Sequence, residues 1–177
     1  RVSASRRIPD GFVTTLETED KTQSSVTHGA VILATGARPA GPSLFSHEQD
    51  SRIMNQQQFE QKMGQNELDG AAITTACMIL CAGTRQGDKN YCSRVCCAAA
   101  LKHALWLKEA SPETNVYIFY RDMMAYGFLE SFFTRARRAG VIFIAYEPDQ
   151  PPEVRPEDEA VVIAGREPVL NRTIEVT

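Results

Sequence analysis

The sequence lacks the features by which several large classes of protein are recognised. None of its 11 glycines forms a G-x-G triplet, so the glycine-rich turn that lets a backbone approach a pyrophosphate is missing. There is no block of Lys and Arg, and a net charge of −3 makes nucleic acid or an anionic membrane surface a poor partner. No window approaches the ~18 consecutive apolar residues of a membrane span, and no signal peptide is present. We therefore expect a cytoplasmic protein without direct membrane insertion.

The composition is that of an ordinary globular chain. Of 177 residues, 43% are apolar and 23% are charged, which predicts one domain with part of a second. The sequence begins with Arg1 rather than Met and ends in a strand-like pattern, NRTIEVT. We interpret it as a piece of a longer protein, so that part of an active site would lie outside it.

The N-terminal third is rich in strand patterns. Residues 11–20 and the residues that follow them are typical of two strands joined by a turn. Residues 30–39, AVILATGARP, form a continuous apolar run with a Gly/Pro stop, which predicts a buried strand. In residues 54–65, Phe59 and Met63 are four apart, which indicates a helix.

From residue 70 onward, strands and helices alternate. Strands are predicted at residues 70–83, 115–122 and 141–148, helices at residues 93–110 and 127–140, a loop at residues 149–159 and a β-hairpin at residues 160–177. Such alternation predicts an α/β fold with a parallel, Rossmann-like sheet. Ligands of these sheets bind beyond the carboxyl ends of the strands, and Cys81 falls at that edge.

Four of the five cysteines lie within seventeen positions, in the pattern C-x10-C-x3-C-C. Cys81 closes a strand, whereas Cys92 and Cys96 are four apart at a helix start and share one face. Cys97 is displaced from Cys96 by about 100° around the helix. Thiolates at a helix N-terminus suit an anionic iron–sulfur cluster, because free N–H groups and the helix dipole favour negative charge there.

The spacing leaves alternatives open. A zinc site can also use four cysteines, in a structural or protein-docking module, but zinc sites usually present paired C-x2–4-C knuckles. A third option is thiol–disulfide chemistry of the adjacent pair, as in pyridine nucleotide-disulfide oxidoreductases. That option is weakened because adjacent cysteines form strained disulfides and C-x-x-C is absent. Inert thiols remain possible too, since buried cysteine is often simply small and apolar. The spacing favours a cluster over zinc.

The remaining residues of interest are mostly expected to be structural. Cys77 is interpreted as a buried structural thiol, and His103 as a structural or solvated side chain. Arg94 lies between the cysteines, where a cation lowers thiolate pKa values or tunes a cluster. Residues 120–127 follow a strand at the same sheet edge, and either line a cofactor or partner surface or serve as a plain loop. The aromatic side chains expected in the core are Trp106, Phe128, Phe132 and Phe133.

The sequence resembles the A subunit of heterodisulfide reductase and its relatives, including the flavoprotein subunit of the quinone-interacting membrane-bound oxidoreductase. The likeness is carried by the segments AVILATGARP, CAGTR…YCSRVCCAAALKHAL, IFYRDMMAYGFLESFFTRARRAGVIFI and EPVLNRTIEV, in the family's order. The YCSRVCC block is highly specific, whereas an A-T-G strand is shared by many flavoproteins.

The resemblance implies a thioredoxin-reductase-like architecture. In this family the domain that resembles a pyridine-nucleotide domain carries a [4Fe–4S] cluster, and the ligand pattern falls on Cys81, Cys92, Cys96 and Cys97. The implied divisions are a partial FAD domain at residues 1–45 with Ala34, Thr35 and Gly36 approaching the flavin, a linker and helix at residues 46–69, the cluster-bearing domain at residues 70–155 and a hairpin returning toward the FAD domain at residues 156–177.

The resemblance also implies an oxidoreductase that passes electrons between FAD and the [4Fe–4S] cluster. Its partners would be other redox subunits of the heterodisulfide reductase, hydrogenase or membrane-oxidoreductase type. The sequence departs from the family in having CAGTR where CVGSR is common, and Met124 where Arg is frequent. The G-x-G-x-x-G of the flavin domain is absent, so we expect the chain alone to be inactive and unable to hold FAD.

Overall fold

The computed structural model describes residues 1–36, 45, 50–85 and 87–177. These residues fold into two compact units, Arg1–Arg38 and Pro39–Thr177. The strands within the described residues are β1 Val2–Ile8, β2 Gly11–Glu17, β3 Gln23–His28, β4 Thr75–Ile79, β5 Asn115–Tyr120, β6 Ile142–Ala145, β7 Glu153–Pro156, β8 Val161–Glu167 and β9 Arg172–Val176. The α-helices are α1 Gln56–Gly64, α2 Val95–Ala110 and α3 Glu130–Arg138.

The first unit is a three-stranded antiparallel sheet in the order β1-β2-β3. Strands β2 and β3 confirm the prediction from the sequence, with Thr14 opposite Val26 in the register. Strand β1 was not predicted, because its SASRR segment alternates Ser, Ala and Arg rather than apolar side chains. It forms nevertheless because the Asp10–Gly11 turn brings it back along β2, where Ser5 lies opposite Thr14.

The buried strand predicted at residues 30–39 is wrong for the residues that the structure describes. Residues 30–36 form no strand, and the side chains of Ile32 and Leu33 are 90% and 85% exposed. Residues 37–39 of that prediction lie outside the described residues. An apolar run becomes a buried strand only when neighbouring strands pair with it and a second layer covers it. Within the described part of the first unit, no strand pairs with this run.

The second unit contains the predicted parallel sheet, which confirms an α/β fold. Its strand order is β4-β5-β6, with Cys77 opposite Tyr117 and Ile118 opposite Phe143. Helix α2 buries Leu101 and Leu107 against one face of this sheet. The alternation of strands and helices in the sequence therefore places three carboxyl ends at one edge.

Helices α1 and α3 flank α2. Helix α1 begins with a capping box between Asn55 and Gln58, which satisfies orphan N–H groups at its start. Phe59 of α1 contacts Trp106 edge to face, with ring centroids 6.0 Å apart. Trp106 thus lies at the core, as the sequence predicts.

The predicted burial of two aromatic residues near α3 is wrong. Phe128 is 98% exposed and Phe132 is 41% exposed, whereas Phe133 packs against the core. The sequence pattern places the helix start at residue 127. The α-helix begins only at Glu130, after a short 3-10 turn, so Phe128 does not share the inward face of α3.

A second antiparallel sheet, in the order β7-β8-β9, covers the other face of the parallel sheet. The hairpin β8–β9 confirms the prediction. Strand β7 contradicts the predicted loop, because Val154 pairs with Ile163 despite the surrounding prolines and charges. Gly165 allows close contact here, since a Cβ on it would lie 2.3 Å from Cε1 of Phe119. Among the described residues, no helix combines the length and apolar character needed to cross a bilayer.

Candidate functional site

Cys81 lies at the carboxyl edge of the parallel sheet, two residues beyond β4. The residue before it, Leu80, donates its N–H to the carbonyl of Phe119 at 2.9 Å, and its own carbonyl accepts the hydroxyl of Tyr146 at 2.5 Å. Cys81 itself is 9% exposed and has a φ of 61°. The sheet therefore fixes the position of this thiol from two neighbouring strands.

The segment from residue 81 to residue 94 is rich in left-handed backbone conformations. Positive φ values occur at Cys81, Gly83, Arg85, Gly87 and Arg94. For a residue with a side chain this conformation costs about 1–2 kcal/mol, and such strain concentrates at ligand-binding turns. Backbone that passes between right- and left-handed conformations turns successive N–H groups to one side, which forms a concavity for anions. The segment thus has the backbone of an anion-binding turn.

Sulfur atoms take the place of the usual oxygen cap at the start of α2. The N-cap residue Arg94 has a φ of 60° and makes no side-chain cap hydrogen bond. Instead, its N–H donates to Sγ of Cys92 at 3.3 Å. The sulfur of Cys96 accepts the backbone N–H groups of Cys81, Cys96 and Cys97. The first N–H groups of the helix are therefore directed at thiol sulfur.

These contacts separate the properties of the adjacent thiols. The Cys97 thiol and the backbone N–H groups around it lower the pKa of Cys96 to about 6, although burial opposes the change. The pKa of Cys97 is raised, because its proton is held against the Cys96 thiolate and its side chain is buried. The N–H of Met124 also donates to the Cys97 sulfur. Cys96 therefore carries the negative charge of this pair.

Burial raises the pKa of Cys77 to about 12. This thiol packs against the apolar cluster between the two sheets of the second unit, which contains Phe119. The interpretation of Cys77 as a structural thiol agrees with this placement.

The structure brings together Cys81, Cys96 and Cys97, whereas Cys92 lies on the preceding loop and contacts Arg94. Outside residues 37–44, 46–49 and 86, no three side chains of His, Cys, Asp and Glu converge where one metal ion could bind. The Cys96 sulfur instead contacts the Cys97 thiol and the main chain of Cys81. The adjoining thiols therefore do not outline a shell around a single ion.

Two arginines flank the thiols at the same sheet edge. The Arg85 guanidinium pairs with the Asp122 carboxylate at 2.5 Å and also hydrogen-bonds to Cys81. Nη1 of Arg121 donates to the carbonyls of Thr84 and Arg85, at 3.3 and 2.9 Å. Nη1 of Arg85 and Nε of Arg121 are buried without a hydrogen-bond partner in the described part of the chain.

The sequence pointed to a different cation. Arg94 contacts the cysteines through its main chain, but its side chain donates to the Tyr126 hydroxyl at 2.6 Å. Arg85 and Arg121 were missed, although each follows a predicted strand at the edge where Cys81 falls. That shared edge is the signal in the sequence that indicates them.

The proposed flavin-contacting residues lie in the first unit, apart from the thiols. Ala34, Thr35 and Gly36 are exposed and belong to no helix or strand. Gly36 has a φ of 66°, a conformation that glycine adopts without strain.

Comparison with known proteins identifies relatives of about half of the chain. The A subunit of the ferredoxin:CoB-CoM heterodisulfide reductase of Methanosarcina acetivorans is 42% identical over 88 residues, which is 48% of this chain and 11% of the relative. The iron-sulfur A subunit of the CoB–CoM heterodisulfide reductase of Methanocaldococcus jannaschii is 35% identical over 112 residues, 61% of this chain and 17% of the relative. For the A subunit of the H2:CoB-CoM heterodisulfide,ferredoxin reductase of Methanothermobacter marburgensis, identity is 32% over 111 residues, 60% of this chain and 16% of the relative. No family model matches the chain.

The fold and the site define an α/β protein with a thiol-lined, anion-binding edge, and its relatives are subunits of oxidoreductases. The resemblance to the A subunit of heterodisulfide reductase is thereby confirmed. The chain matches only 11% to 17% of the length of the relatives named above.

Proposed function

We propose that the chain is the cluster-bearing part of a flavo-iron–sulfur oxidoreductase that resembles the A subunit of heterodisulfide reductase. Cys81, Cys92, Cys96 and Cys97 would hold a [4Fe–4S] cluster that relays electrons to or from FAD. The observation that carries this proposal is the direction of backbone N–H groups at the start of α2 toward thiol sulfur. One relative is named as an iron-sulfur subunit, which agrees with it.

The residues present fit such a group. Four cysteines are the usual ligand set of an iron–sulfur cluster, and its anionic core is stabilised by hydrogen bonds to sulfur. Here the helix N-terminus and the left-handed backbone turns supply donors. Arg85 and Arg121 add positive charge, each with a buried N–H free of partners among the described residues. A tetrahedral zinc ion would instead require ligands converging at about 2.3 Å from one point.

Each part of the site has a separate task in this proposal. When bound, the cluster supplies one-electron redox chemistry. Tyr146 holds the strand end that presents Cys81. Cys97, which is 1% exposed, closes the inner side of the site to water. Arg85 places a positive charge against the Cys81 sulfur.

We also propose that the second unit serves as a pyridine-nucleotide-like domain within a larger flavoprotein. Residues 70–155 would be its Rossmann-like body, and residues 156–177 would return toward the FAD domain. Residues 1–45 would belong to that FAD domain, with Ala34, Thr35 and Gly36 beside the flavin, and residues 46–69 would link the two. The complete protein would work in the cytoplasm with other redox subunits. Names such as H2:CoB-CoM heterodisulfide,ferredoxin reductase describe several redox reactants for a relative, which supports this expectation.

Iron and sulfide analysis of the chain purified without oxygen tests the proposal. We expect about four irons and four sulfides per chain. Cys→Ala changes at positions 81, 92, 96 and 97 should each lower the iron content, whereas Cys77→Ala, the matched control, should leave it unchanged. A preparation that binds one zinc and no iron would contradict the cluster and support the zinc-binding alternative.

A further inference from the structure

Arg85 is held rigidly beside the thiols. Its φ of 60° tightens the loop, and its N–H donates to the carbonyl of Lys89 at 2.7 Å. Its own carbonyl accepts Nη1 of Arg121 at 2.9 Å. The Arg85 side chain is only 22% exposed. Its guanidinium group is therefore fixed in place rather than free to move into solvent.

The Arg85 guanidinium faces two anionic groups of different exposure. Nη2 pairs with Oδ2 of Asp122 at 2.5 Å, and the Asp122 side chain is 59% exposed. The other acceptor is the sulfur of Cys81, a residue that is 9% exposed. Because water screens the carboxylate more than the thiolate, the charge of Arg85 acts mainly on the buried sulfur side. The buried Nη1, which has no partner in the described part of the chain, leaves a further donor on this guanidinium.

We propose that Arg85 is a positioning residue that sets the reduction potential of the site by donating to the sulfur of Cys81. This inference rests on the proposed function, in which Cys81 is a ligand of the [4Fe–4S] cluster. One electron from reduced FAD enters the site, with no bond formed or broken and no proton taken up. The added negative charge is stabilised by the fixed guanidinium, so Arg85 favours the reduced form and makes the potential more positive.

Arg94 provides a matched comparison because it has the same charge and the same left-handed backbone. Its φ is also 60°, but its side chain is exposed and contacts the Tyr126 hydroxyl. An Arg94→Gln change removes one positive charge near the cysteines without removing a side-chain donor to sulfur. The comparison therefore separates a specific contact from a general change in charge.

The experiment is an anaerobic redox titration of the cluster-loaded chain, followed by visible absorbance and electron paramagnetic resonance. For Arg85→Gln we expect the ratio of reduced to oxidised cluster at a fixed potential to fall about tenfold, which is about 59 mV for one electron. Arg94→Gln should change this ratio less than threefold, and Arg85→Lys, which keeps the charge, should restore most of it. An Arg85→Gln protein with full iron content and an unchanged ratio would overturn the inference, as would an equal change in Arg94→Gln.

Iron content distinguishes this inference from the proposed function. If the unsubstituted chain binds no cluster, the proposed function fails and the role of Arg85 fails with it. If only Arg85→Gln loses the cluster, Asp122→Asn is measured instead, because it keeps Arg85 and removes its counter-charge. The ratio of reduced to oxidised cluster should then rise, and a ratio that stays constant or falls would overturn the inference.

Discussion

The hydroxyl of Tyr146, just beyond β6, donates to the main-chain carbonyl of Leu80, just beyond β4, at 2.5 Å. Strand β5 lies between these two strands, so the bond joins the outer strands of the parallel sheet across the central one. Leu80 precedes Cys81, and Tyr146 is 5% exposed. The bond therefore fixes the sheet edge from which the thiol projects.

Tyr146→Phe should destabilise the chain by about 1–2 kcal/mol, because the buried Leu80 carbonyl loses its side-chain donor. Unfolding by urea measures this change. Tyr91→Phe is the control, since Tyr91 is 59% exposed and removal of its hydroxyl should cost less than about 0.5 kcal/mol. Equal stabilities of the two variants would show that the Tyr146 bond contributes nothing measurable.

His103 should make the chain less stable at acidic pH. It is 1% exposed, stacks near Phe59 and lies 3.4 Å from the Glu60 carboxylate, with Lys102 beside it. Burial lowers the pKa of His103 below 6.5, despite the opposing effect of Glu60. Below that pH the unfolded chain binds a proton that the folded chain refuses. The stability is therefore present above about pH 6.5 and is lost as the pH falls through the lower, folded-state pKa.

The measurement is the free energy of unfolding between about pH 5 and 7.5, a range that spans the ordinary histidine pKa. His103→Gln removes the titrating group, so its stability should fall less steeply toward acid than that of the unsubstituted chain. Parallel curves for the two proteins would contradict the assigned role of His103.

Gly165→Ala should destabilise the second unit by about 1–3 kcal/mol through overpacking. The added methyl group would lie 2.3 Å from the Phe119 ring, which is fully buried between the two sheets. Gly64→Ala is the matched control, because a Cβ there meets nothing within 4 Å and Ala favours the helix. Thermal unfolding should show a lower midpoint for Gly165→Ala and an equal or higher one for Gly64→Ala. A midpoint that does not fall in Gly165→Ala would mean that the sheets separate without cost.

In the metal-free chain, Cys96 should react with iodoacetamide before Cys77 and Cys97 at neutral pH. The thiolate is the reactive form, and the pKa of Cys96 is lowered to about 6 whereas burial raises that of Cys77 to about 12. Mass spectrometry of peptides after limited labelling gives the order. Labelling of Cys77 as fast as Cys96 would contradict it.

The sequence predicts the parallel sheet and helix α2 well, because apolar runs and helical spacing reflect burial within short segments. It fails where burial depends on distant partners. Residues 30–36 have the composition of a core strand but remain exposed in the first unit. Conversely, the charged β7 becomes a strand because β8 supplies its hydrogen bonds. Neither outcome is encoded in the segment itself.

The candidate site was predictable in location but not in its contacts. The position of Cys81 after a strand, and of Cys96 at a helix start, follows from local patterns. The direction of an arginine side chain does not, since Arg94 turns to Tyr126 and Arg85 turns to Cys81. Those directions depend on left-handed turns in the loop, and only Gly83 and Gly87 announce such turns in the sequence.

The sulfur caps of α2 have a practical consequence for mutagenesis. Cys92 and Cys96 accept N–H groups that Ser or Asp would accept in other helices. An alanine at either position therefore removes a helix cap together with a soft metal ligand. A serine keeps an acceptor for the N–H group and removes only the thiolate. Serine and alanine substitutions at the same position thus separate the folding of the helix start from the loading of the cofactor.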